Sequence, residues 1–167
     1  MTENREHLIL ECKRIEDDSK YTGETHFQIA SSASCKIFFV KAIPAVLSAI
    51  SGVGLLVGGP EWLAWLAIIS SAVFALNSVI NPDRECLVHY SAGKHYTTLK
   101  HEARSLYKTF QHDLDKNTFA VIVSILRERY NKISELTPGT NNKAFEKARK
   151  KIKSGRHNPD FNDESQI

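Results

Sequence analysis

AIPAVLSAISGVGLLVGG (residues 42–59) and WLAWLAIISSAVFALNSVI (residues 62–80) are separated only by Pro60-Glu61, and neither holds a single Asp, Glu, Lys or Arg. The chain as a whole is 25% charged, so its charge is strongly segregated along the sequence. The first segment has 18 uncharged residues and the second 19. A helix rising ~1.5 Å per residue needs ~20 apolar residues to cross a hydrocarbon core of ~30 Å. Residues 37–40 lengthen the first segment if Lys41 snorkels to the headgroups. The expected spans are therefore about 38–59 and 62–80. The turn Gly58-Gly59-Pro60-Glu61 is short enough to force the two helices into antiparallel contact. A buried hairpin inside a soluble helical bundle is the alternative, but a core helix of that kind keeps a polar stripe. Here the only polar residues are Ser48, Ser51, Ser70, Ser71, Asn77 and Ser78. Trp62 and Trp65 stand beside the turn, where an interfacial aromatic belt belongs.

Lys36 and Lys41 precede the first span, Arg84, Lys94 and Lys100 follow the second, and the turn has no basic residue. The positive-inside rule then puts both termini in the cytoplasm. Met1–Asp18 has no apolar run of the kind a secretory signal carries. Three cysteines, Cys12, Cys35 and Cys86, form no metal-like pair and suit reduced thiols.

Outside the hairpin, helical periodicity dominates. Helices are expected over about 4–18, 24–37, 82–113, 117–136 and 142–153, with a break at Tyr21-Thr22-Gly23 and a frayed tail over 156–167. Ala92, Tyr96, Leu99, Ala103, Leu106 and Phe110 recur at heptad spacing and form a seam for the cytosolic extension of the first membrane helix. Phe119, Val123, Leu126, Tyr130 and Ile133 form a second stripe. The expected fold is all-α, a two-transmembrane hairpin whose helices run into a cytosolic helical bundle, with residues 1–155 as a single domain.

Small residues mark helix contacts where lipid supplies no hydrophobic drive. Ser48, Gly52, Ser71 and Asn77 are the membrane packing or pore-lining candidates, within one hairpin or between subunits. Pro44 and Pro82 are hinge candidates: Pro44 removes a backbone donor inside a span, and Asn81-Pro82 restarts the helix. Lys147, Lys150 and Lys151 lie on a strongly basic helix suited to anionic lipid or to an anionic partner such as a nucleotide. Tyr21, His26 and Arg104, with His89, His95 and Glu102 beside them, suggest a cytosolic pocket; interhelical hydrogen bonds and a Glu102–Arg104 surface pair are the structural alternative. No nucleophile–base pair, phosphate-binding glycine loop or cofactor signature is present, and the seven histidines contain no i, i+4 pair for a helical metal site. The sequence reads as a non-enzyme with no cofactor and no metal.

Several short runs resemble the SLATT families. These are Arg14-Ile15-Glu16-Asp17-Asp18, Lys20-Tyr21-Thr22-Gly23, His26-Phe27-Gln28-Ile29-Ala30, Pro44-Ala45-Val46-Leu47-Ser48-Ala49, and residues 96–104 from Tyr96 to Arg104. Their order around a two-span hairpin covers roughly residues 8–155. The resemblance implies a two-transmembrane effector of a bacterial anti-phage conflict system, acting at the inner membrane as a homo-oligomeric pore or disruptor. It implies a cyclic-oligonucleotide synthase, a SLOG protein or a reverse transcriptase as partner, or the nucleotide signal such a partner makes. A membrane-anchored adaptor or scaffold without pore activity is the competing function.

Overall fold

The computed structural model describes residues 3–80 and 83–155, and these are helical with no strand. Five helices follow in order: α1 (Glu3–Leu56), α2 (Trp62–Ile80), α3 (Asp83–Lys108), α4 (Lys116–Leu136) and α5 (Asn142–Lys153). They divide into two compact units, one from Met1–Ile29 with Val88–Ile167, the other Ala30–Leu87. Asn81, Pro82 and the tail 156–167 lie outside the described residues, and with them the second hinge candidate.

In the first unit, α1, α3 and α4 share one core. Cys12, Ile15, Leu99, Ala103, Leu106, Phe119, Val123 and Leu126 are its buried members. Burial pushes the Cys12 thiol up to about 11, so it stays protonated and inert. The heptad seam on α3 is buried from Ala92 to Leu106, but Phe110 is 49% exposed. The reason is local. The expected helix to residue 113 stops at Lys108, where the Thr109 and Phe110 amides both turn back to the Ser105 carbonyl. Asp115 then caps α4 by accepting from the amides of Asn117 and Thr118. Thr137, preceding Pro138, is extended and ends α4 as a pre-proline residue should.

The expected break at Tyr21-Thr22-Gly23 does not occur, because α1 runs through it without interruption. Glycine weakens a helix interior by ~1 kcal/mol relative to alanine. Gly23 is there for proximity instead. A Cβ on it would sit 3.1 Å from Tyr96 Cβ, and one on Gly93 would meet the Phe27 ring at 2.7–2.9 Å. Two glycines therefore let α1 and α3 approach closely, and Phe27 meets Tyr90 edge-on beside them.

Charged groups fasten this unit from outside the core. Glu16, nearly buried, receives Arg104 at 2.9 Å and the Tyr107 hydroxyl at 2.6 Å. Glu11 pairs with Arg127, and Arg129 with Glu102 at 2.5 Å. Residues two apart on a helix point in different directions, which is why Glu102 does not pair with Arg104.

In the second unit, α1 ends in a Schellman turn. Gly58 takes φ +78° and donates to Leu55 at 3.2 Å, while Gly59 donates to Gly54 at 2.8 Å. The chain re-enters a helix at Trp62, as expected for so short a connection.

The Gly93 contact sets a test. Gly93→Val places two branches against the Phe27 ring, and overpacking of this kind costs ~1–3 kcal/mol despite valine's better helix propensity. Thermal unfolding in detergent should show the loss, and Phe27→Ala in the same chain should recover part of it.

Candidate functional site

The apolar hairpin is held by a narrow seam. On α1 it comprises Pro44, Leu47, Ser51 and Gly54; on α2 it comprises Leu63, Ser70 and Asn77, seven residues apart. Ser51 is fully buried, Ser70 is 4% exposed and Leu63 is 8% exposed. A Cβ on Gly54 would lie 2.5 Å from Leu63 Cδ1, so glycine makes the room that this leucine fills. The Ser51 hydroxyl donates to its own helix at the Leu47 carbonyl, 2.7 Å away, and needs no partner across the seam.

Pro44 creates a defect and Asn77 fills it. A proline at 44 has no N–H for the Val40 carbonyl four residues back. The Asn77 side-chain amide donates to that carbonyl across the hairpin at 3.4 Å. The bond thus supplies the donor that the proline denies this carbonyl.

The four packing candidates thus separate. Asn77 belongs to the contact inside the hairpin, and Ser48 is half-buried. Gly52 and Ser71 are exposed, and nothing lies within 4 Å of where a Gly52 Cβ would be. Around them stand large apolar side chains with no protein partner, including Val46, Ile50, Val53, Ile68 and Leu76, each more than half exposed. Lys41 pairs with Asp83.

Tyr21, His26 and Arg104 each have their own setting. Tyr21 packs against the Phe145 ring with centroids 6.3 Å apart. Arg104 is committed to Glu16. His26 is 1% exposed, stacks on Tyr96, and faces His89 with Nδ1 atoms 2.8 Å apart, so one imidazole donates and the other accepts. Burial, and to a lesser degree His89, lower the His26 pKa from 6.5 to about 4. His26 and His89 are 63 positions apart in sequence, and their hydrogen bond is of the interhelical kind expected as the alternative to a pocket. The three basic candidates separate as well. Lys147 and Lys150 are exposed, whereas Lys151 binds Glu24, a carboxylate 3% exposed, at 2.7 Å. Among the described residues no three His, Cys, Asp or Glu converge to hold a metal ion.

Among the described residues one helix, Arg5–Leu56, is long and apolar enough to cross a membrane, and only 11% of its apolar window is buried. A shorter apolar helix, Trp62–Asn77, follows it. The core helix of a soluble protein would be mostly buried; this all-α chain with its bare apolar hairpin is built as a helical membrane protein. More specifically, residues 12–165 match the SMODS and SLOG-associating 2TM effector domain family 4, and the chain belongs to that family. No curated protein and no solved structure matches it.

Two outcomes follow. Asn77→Leu should destabilise the hairpin by ~1 kcal/mol, the worth of one hydrogen bond. In a Pro44→Ala background the restored amide serves Val40 itself, so the same change should cost much less; steric trapping in bicelles measures both. For His26, the unfolded chain binds a proton below pH 6.5 that the folded chain refuses until about pH 4. Stability is therefore fully present above 6.5 and lost as pH falls toward 4, by roughly 3 kcal/mol for this group. Urea unfolding across that range should show a slope that His26→Gln flattens.

Proposed function

We propose that the chain is a non-enzymatic effector of a bacterial anti-phage system. It sits in the inner membrane through both apolar helices, with both termini in the cytoplasm. On activation it assembles as a homo-oligomer that opens a pore or disrupts the bilayer, ending in abortive infection. The trigger is a nucleotide signal, or a partner such as a cyclic-oligonucleotide synthase, a SLOG protein or a reverse transcriptase. Family membership supports the effector role.

The observation that carries the oligomeric reading is the position of Gly52 and Ser71. Both point away from the hairpin's own seam. Small residues on a lipid-facing surface are where a second hairpin approaches closely. Two helices alone leave no lumen, so conduction needs several hairpins about an axis. Lys147 and Lys150 offer their charge to anionic headgroups or to an anionic signal; Lys151 is held by Glu24.

A membrane-potential dye tests this in cells carrying the natural partner system. Triggering should depolarise wild-type cells. Gly52→Leu should still insert, but should reduce both the crosslinked oligomer and the depolarisation severalfold. Cells that die with full potential would instead favour a membrane-anchored adaptor without a pore.

A further inference from the structure

Helices α3 and α4 bury one side against α1, through Leu99 and Ala103 on α3 and Phe119 and Val123 on α4. Their opposite side is open. A cavity of about 540 Å³ there lies among Ala92, Ile133 and Leu136, and a second of about 750 Å³ lies among Phe110, Ile122 and Ile125. Arg129 lines both, so the two form one groove along the helix pair. Phe110 and Ile125 are each 49% exposed and Leu136 is 76% exposed, so the groove is apolar at both ends. Its middle is cationic. Arg129 is matched by Glu102, but Lys132 enters no ion pair among the described residues, and no carboxylate lines the cavity that holds Lys132.

We propose that this groove receives an amphipathic helix of a partner protein, apolar at both ends and acidic in its middle turn. Backbone chemistry selects a helix. Both walls are helices with their amides and carbonyls already paired, so an extended peptide would find no ladder to join, whereas a helix satisfies itself. The walls from Val88 to Leu106 span ~27 Å at ~1.5 Å per residue, matching a helix of ~18 residues. Charge selects the acid, because carboxylates in the middle turn meet Lys132 and Arg129.

The same charge disfavours a second copy. The exposed stripe of α4 runs Val121, Ile125, Arg129, Lys132, Leu136, so a partner α4 would bring cations onto cations. The acidic residues Asp160, Asp163 and Glu164 of this chain lie within 12 residues after Gly155, interrupted by Pro159. Pro159 disfavours one continuous helix from Gly155 through these acids. The proposal does not depend on pore formation.

The test uses the full chain in phosphatidylcholine nanodiscs. The probe is a fluorescent 18-residue synthetic helix with leucines at helical spacing in its end turns and two glutamates in its middle turn. Anisotropy should show binding that Lys132→Glu weakens ~10-fold. A probe with lysines in place of the glutamates should prefer the Lys132→Glu chain. Lys132 is exposed, so thermal unfolding should be unchanged and a loss of binding cannot be misfolding. Equal binding of both probes to the wild-type chain would overturn the proposal. So would binding seen only after residues 156–167 are removed, or rapid disulfide formation between copies carrying Ile125→Cys.

Discussion

A peptide group left without a partner is costly wherever water is excluded, and the contacts inside the apolar hairpin answer that constraint. Much of its surface is exposed apolar side chain, while several of its polar groups are answered within it. Ser51 bonds back to its own helix, the glycine turn closes the last carbonyls of α1, and Asn77 answers the vacancy that Pro44 makes. A proline inside α1 is thereby tolerated, because the carbonyl it orphans faces a neighbour that can donate.

The other unit is built around a buried apolar core. Its core is ordinary, eight side chains from three helices, and its distinguishing feature is how many carboxylates are drawn inward and matched there. Glu16 with Arg104 and Tyr107, and Glu24 with Lys151, each tie elements far apart in sequence, while Gln28 donates to Glu24 from one turn along α1. Placing one such carboxylate without its cation would be costly, so these pairs fix which helix faces which more than they add stability.

The sequence made periodic features legible. The charge-free segments, the Gly58-Gly59 turn, the α3 seam to Leu106 and the stripe on α4 all follow from spacing alone. It hid whatever depends on a distant partner. Gly23 reads locally as a breaker and only the opposing Tyr96 shows it to be a contact. Gly52 and Gly54 look alike in sequence, yet one faces outward and the other holds Leu63. Lys151 looks like Lys147 and Lys150 until Glu24 is seen beneath it. His26 and His89 are visible singly but not as a pair, and the open groove between α3 and α4 is a property of two helices that no single stripe displays.

The Lys151–Glu24 bond gives the basic helix an internal inequality. Acylation of Lys147 or Lys150 would erase a charge and leave the protein interior as it was. The same chemistry at Lys151 would take its cation from a buried carboxylate and loosen the attachment of α5 itself. Lysine modification of α5 is therefore graded by position: at two sites it changes how the surface is read, and at the third it changes whether that surface stays docked.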